Sequence, residues 1–160
     1  MTSPASFKDS DKLLISTDRE IFAVDANMVA GIIETKQLHM LPIISSHPAL
    51  GKTGFIKGVI TQRGEVIVVI SLENLFKAAP VQNGNTHRLV IIKKDASSLG
   101  IYVGAKELSF LWKEELSNLE FKQLKKDYIV GLIDPYGKKI QLLDCQKVLE
   151  EIHKAISGRQ

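Results

Sequence analysis

A single cysteine, Cys145, stands in 160 residues, which excludes an internal disulfide and a sulfur-rich metal site. The four histidines, His39, His47, His87 and His153, show neither H-x-H nor H-E-x-x-H spacing, so no local metal motif is written. No apolar run approaches the roughly 20 residues that a membrane-spanning helix needs. The opening MTSPASFKDSDK lacks the apolar stretch of a secretory signal, and with one cysteine the expected location is the cytoplasm. Aromatics are scarce, at six Phe, three Tyr and one Trp, and most fall at apolar-phase positions. The net charge of +3 is spread along the chain, with lysine pairs at Lys93–Lys94, Lys125–Lys126 and Lys138–Lys139. Nucleic-acid binding gathers basic charge and exposed aromatics on one face, and neither is gathered here.

Catalytic constellations are missing as well. There is no G-x-S-x-G elbow and no Cys-His signature around Cys145. Glu114–Glu115 and Glu150–Glu151 are adjacent in sequence, so the members of each pair point to different sides of a helix. The stretch SHPALGKT, Ser46–Thr53, ends like a phosphate loop, but Ser46 replaces its first glycine and Gly54–Gly58 leads into a strand. It reads as a loop. The chain is therefore expected to be a binding protein and not an enzyme, with no cofactor and no metal.

What is present is one motif written twice. GVITQRGEVIVVISLENLF, Gly58–Phe76, aligns without gaps on GLIDPYGKKIQLLDCQKVL, Gly131–Leu149. Gly58 meets Gly131, Ile60 meets Ile133, Gly64 meets Gly137, Ile67 meets Ile140 and Val69 meets Leu142. Asp134-Pro135-Tyr136-Gly137 carries the residue preferences of a type I turn, and Thr61-Gln62-Arg63-Gly64 reads as the same turn. Each copy predicts a β-hairpin followed by a helical turn. Upstream, Ile21–Val24 and Gly100–Val103 open a second, fainter echo in which Val24 meets Val103 and Val29 meets Leu108. The first half carries extra residues, placed in His39–Gly54, a Pro-, Gly- and Ser-bearing loop.

Opening strands are predicted at Lys12–Thr17 and Arg88–Lys93, with turns at Thr17–Glu20 and Asp95–Gly100. Leu111–Asp127 keeps no clean period and reads as mixed. Asp144–Ser157 predicts a helix: Asp144 is a suitable N-cap, Cys145, Val148, Leu149, Ile152 and Ile156 recur at three and four, and Gly158 is the stop. About five short strands per half is the pattern of a small barrel or sandwich, and a half of this size has a marginal core alone. Residues 1–11 are expected to be disordered, and 12–157 to form one domain of two pseudo-repeated halves.

The segment FIKGVITQRGEVIVVISLENLF, Phe55–Phe76, resembles the signature of the chemotaxis coupling proteins, the CheW-like family, F-I-x-G-V-x-N-L-R-G-x-V-V-P-V-V-D-L-x-x-x-F. Phe55, Ile56, Gly58, Val59, Arg63, Gly64, Val66, Val69, Leu72 and Phe76 stand at matching places. FAVDANMVAGIIE, LGIYVGAKELSFL and YIVGLIDPYGKKIQLLDCQKVL look like its flanking segments, so the likeness covers about residues 12–156. Thr61, Gln62, Val68, Ser71, Gly31 and Gly104 depart from it. The resemblance implies a mainly β fold of two intertwined five-stranded SH3-like barrels with short helices and a C-terminal helix. It also implies a scaffold that joins the cytoplasmic tip of a methyl-accepting chemoreceptor to the regulatory domain of a CheA-type histidine kinase. A divergent barrel serving as a small-ligand sensor, with Leu41–Gly54 closing over its ligand, or as another protein-interaction module is the alternative.

Arg63 is the expected partner-binding residue, because the family keeps arginine there and a guanidinium can hold a carboxylate or carbonyls in a fixed fork. Val29, Ile32, Ile33, Ile101 and Val103 are read either as barrel core or as partner groove. Gly58, Gly64, Gly131 and Gly137 are read as backbone-geometry residues, and the lone Trp112 as packing.

Overall fold

The computed structural model describes residues 10–16, 20–36, 38, 56–72, 87–104, 107–116, 118–126, 128–134 and 139–157. The loop His39–Gly54, residues 1–9, Phe55, the segment 73–86, most of the Asp134–Gly137 turn and the Gly158 stop lie outside the described residues.

Eleven strands form two sheets among the described residues. In chain order they are β1 Lys12–Ser16, β2 Ile21–Asp25, β3 Val29–Thr35, β4 Ile56–Gln62, β5 Glu65–Ser71 and β6 His87–Lys94. They continue as β7 Ser97–Tyr102, β8 Glu107–Leu111, β9 Phe121–Lys126, β10 Ile129–Ile133 and β11 Ile140–Leu143. A 3-10 turn, Ala26–Met28, links β2 to β3 and is capped by Asp25, whose carboxylate accepts from the Asn27 backbone N–H at 3.1 Å. Two helices follow β8 and β11: α1 Lys113–Leu116 and α2 Cys145–Ser157. The backbone N–H of Lys147 donates to Asp144 Oδ1 at 3.1 Å, so Asp144 is the N-cap that the sequence predicts.

The hairpins carry the repeat at the level of register. Ile60 pairs with Ile67 across β4–β5, and Ile133 pairs with Ile140 across β10–β11. Each hairpin has a register shift at its own glycine, between Ile56 and Gly58 and between Ile129 and Gly131. Both glycines thus mark irregularities at which a strand bends, as expected.

One sheet has the order β8-β1-β2-β11-β10-β9 and the other β3-β6-β7-β5-β4. Under the repeat β3 corresponds to β8, β6 to β1, β7 to β2, β5 to β11 and β4 to β10, so five positions coincide in order. The second sheet has the expected five strands. The first has a sixth, β9, inside the segment that reads as mixed. Neither sheet belongs to one half of the chain: β1 and β2 join the second half, and β6 and β7 join the first. Four pairings make the junctions: β2 with β11 and β5 with β7 in parallel, and β1 with β8 and β3 with β6 antiparallel. The halves are intertwined.

Two turns differ from the sequence reading. Gln62 pairs with Glu65, so the β4–β5 loop is only Arg63-Gly64, with φ of 51° and 79°. Two positive φ values in a two-residue loop are the type I′ geometry, whose twist matches that of the flanking strands, and the four-residue type I reading gives way to it. Lys94 pairs with Ser97, so β7 starts three residues earlier than Gly100 and the turn is Asp95-Ala96, with Asp95 at φ 55°.

Side-chain alternation sorts the apolar residues into three clusters. Leu89, Ile91, Ile60, Ile67, Val69 and Tyr102 fill the interior face of the five-stranded sheet. Ala23, Leu111, Leu116, Ile133, Ile140 and Leu142 do the same for the six-stranded sheet. Their sequence neighbours Val90, Ile92, Ile70, Phe22 and Val24 point the other way, into a central core that joins the sheets. Cys145, Val148, Leu149 and Ile152 of α2 close this core. Burying each aliphatic side chain there contributes roughly 1.5–3 kcal/mol relative to exposure.

At Gly131 an added Cβ would lie 2.6 Å from the Lys122 carbonyl oxygen and 2.6 Å from Phe121 Cζ. Gly131→Ala is therefore expected to lower stability by about 2–4 kcal/mol, because backbone of β9 must move. At Gly31 a Cβ meets nothing within 4 Å, so Gly31→Ala should shift stability by less than about 1 kcal/mol. Urea unfolding of the two variants measures the contrast, and equal midpoints would refute the packing of β9 on β10.

Candidate partner-binding groove

A hollow of about 310 Å³ opens on the five-stranded sheet. Its walls come from β3, through Ala30, Gly31 and Ile33, and from the β4–β5 tip, through Gln62, Arg63, Glu65 and Ile67. Ile91, Lys93 and Ser98 of β6 and β7 form the floor. Strands β3 and β4 are the two ends of this sheet, so one small hollow walled by both means that the sheet curls until its ends face one another. That curl is compatible with the wall of a small barrel.

The position of Arg63 follows from its turn. A two-residue loop projects its side chains from the end of the hairpin, and Arg63 is exposed there. Its φ of 51° is left-handed, a region that costs a residue with a Cβ roughly 1–2 kcal/mol and that glycine or asparagine occupies more cheaply. An arginine held in that region at the rim of a hollow is the kind of outlier that points to a use for its side chain. Arg63 and Lys93 supply two cations and Glu65 one anion, above apolar Ile33, Ile67 and Ile91.

The sequence-predicted residues divide into three groups. Arg63 and Ile33 meet in the hollow. Ile32 points to the opposite face of β3 and is 45% exposed, an unusual state for isoleucine, while Val29 packs half-buried against the central core. Ile101 and Val103 are fully buried in that core, and their side chains offer no surface for rigid docking. Ile56 is buried, but Trp112 is 54% exposed because it follows the edge strand β8, so the packing reading is corrected. Sequence reasoning missed Lys93, which read as solvated surface within a lysine pair. No local signal places it opposite Arg63, since only the pairing of β6 between β3 and β7 does so.

No group of three or more His, Cys, Asp or Glu side chains among the described residues could hold a metal ion. Cys145 opens α2, where a helix N-terminus would favour its thiolate. Burial dominates instead, and with the Asp144 and Asp25 carboxylates it holds the thiol proton far above the ordinary range.

The family model of the CheW-like domain matches residues 11–153, and the chain belongs to that family. No curated protein matches the sequence. Among solved structures, the scaffolding protein TtCheW from Thermoanaerobacter tengcongensis is similar, with a TM-score of 0.64 and 20% identity. The match covers 84% of this chain and 88% of that one, and at this identity it establishes the fold. The mainly β, intertwined architecture expected from the sequence is thus the architecture of a known scaffold.

The raised thiol proton gives a direct test. Ellman's reagent at mildly alkaline pH should leave the folded chain unlabelled and should titrate one thiol per chain after denaturation, since Cys145 is the only cysteine. Labelling of the folded chain at the rate of a free thiol would contradict the burial.

Proposed function

We propose that this chain is a non-catalytic coupling adaptor of a chemosensory array, working in the cytoplasm. It joins the tip of a methyl-accepting chemoreceptor to the regulatory domain of a CheA-type histidine kinase. Membership of the CheW-like family supports the general reading. The observation that carries its local form is Arg63, held at a left-handed φ on the rim of a hollow with an apolar floor. A cationic rim above aliphatic side chains suits a partner element that presents apolar residues beside a carboxylate. Arg63 and Ile33 form the partner-binding surface, with Lys93 beside them, and Ile32 offers a further apolar contact on the opposite face of β3. Val29, Ile101 and Val103 support it from the core. Affinity then comes from complementary surfaces, and no step requires bond chemistry.

Arg63→Asn separates folding from binding. It creates an Asn-Gly pair, the preferred residues of a type I′ turn, so unfolding stability should hold or rise by up to about 1 kcal/mol. Recovery of the kinase and the chemoreceptor from the native cell extract on the immobilised variant should fall about tenfold, the loss expected for a charge-assisted pair. Quantitative mass spectrometry of the captured proteins makes the comparison with wild type. If folded wild-type chain captures neither partner, the adaptor reading fails. If Arg63→Asn captures both undiminished, the assignment of Arg63 fails.

A further inference from the structure

The six-stranded sheet carries a second surface, away from the Arg63 hollow. Its edge strand β8 pairs with β1 on one side and with no other strand among the described residues. Phe110 and Trp112 lie two residues apart on one face, 55% and 54% exposed, with ring centroids 6.0 Å apart and planes inclined by 18°. Together they account for two of the four large exposed hydrophobic residues described. Leu108, on the same face, packs against the central core and continues the apolar stripe inward.

The surroundings of this pair are acidic in a chain whose net charge is +3. Glu107 begins β8, Lys113 follows Trp112 at the start of α1, and Glu114 and Glu115 come next, all of them exposed, so three carboxylates stand against one ammonium. Asp11 Oδ1 accepts from the backbone N–H of Lys113 at 2.8 Å, which ties the start of α1 to β1 and fixes the aromatic pair relative to the sheet. An edge strand with free backbone groups is a template for another strand, and exposed aromatics beside it supply the contact area. Acidic groups at both ends of the stripe select the charge of the occupant.

We propose that β8 is a docking edge for an extended, basic-ended segment of a partner protein. The segment adds its backbone to the outer edge of β8, lays alternate aliphatic side chains on Phe110 and Trp112, and places Lys or Arg beside Glu107 at one end and Glu114–Glu115 at the other. The carboxylates disfavour a second copy of β8 in the same place, because like charges would meet. This surface is separate from the Arg63 hollow and does not depend on the adaptor reading.

Trp112 is the only tryptophan, so its fluorescence reports this surface alone. The probe is a short synthetic peptide of alternating valine and threonine with arginine at both ends, titrated into the full chain. A control peptide carries glutamate at both ends. A saturable blue shift of Trp112 emission is expected with the arginine-ended peptide, with affinity about tenfold above that of the control. The Glu107→Lys/Glu115→Lys variant should reverse the preference, Phe110→Ser should abolish the shift, and Arg63→Asn should leave it unchanged. Circular dichroism confirms that each variant is folded. Equal response to both peptides, no response to either, or a preference that survives the charge reversal would overturn the proposal. So would a wild-type dimer that Phe110→Ser converts to a monomer, since a second copy would then be the occupant.

Discussion

Four strand pairings between the halves hold this molecule together, antiparallel between β1 and β8 and between β3 and β6, and parallel at two further places. Strand β2 lies beside β11, with Phe22 opposite Gln141, and β5 lies beside β7, with Ile70 opposite Ile101. Each pairing joins one half of the chain to the other, so neither half has a complete sheet without its counterpart. Parallel neighbours need a long crossover connection, and here residues 26–139 lie between β2 and β11 and residues 72–96 between β5 and β7. The ordering cost of such distant pairings is offset only when the core between the sheets closes. That dependence makes the domain one cooperative unit although its sequence is a repeat.

The exchange also explains where the apolar residues go. Inner strands such as β6 and β7 are covered on both faces, by a barrel interior on one side and by the central core on the other. They read as nearly continuous apolar runs for that reason. The end strands β3 and β8 are covered less completely, which leaves Ile32 on β3 and Phe110 on β8 exposed. The proposed binding surfaces therefore fall at the ends of the sheets, while the middle of each sheet supplies rigidity. A scaffold needs this division, because partners docked at separate edges keep a fixed geometry only if the body between them does not deform.

Much of this was legible in the sequence. The hairpin repeat, the opening strands and the Asp144-capped helix are local features, each set by apolar phase and turn chemistry over a few residues. Arg63 was legible through its turn and its match to the family signature. Its left-handed conformation was not, because Thr61-Gln62-Arg63-Gly64 fits a longer loop equally well until the Gln62–Glu65 pair sets the length. Strand β9 was hidden because FKQLKK is mostly polar and owes its place to the edge of β10.

By itself, then, the sequence determined the elements and which side chains share a face, since both depend on periods of two and about 3.6 residues along the chain. Only the tertiary structure decided which face is covered twice, once or not at all. Ile101 and Val103 share the alternation of the exposed residues, yet they are sealed because β7 lies inside its sheet under the central core. Trp112 follows a strand paired on only one side among the described residues, and it stays exposed. Alternation marks a face as apolar. What lies against that face depends on a partner strand brought from the other end of the chain.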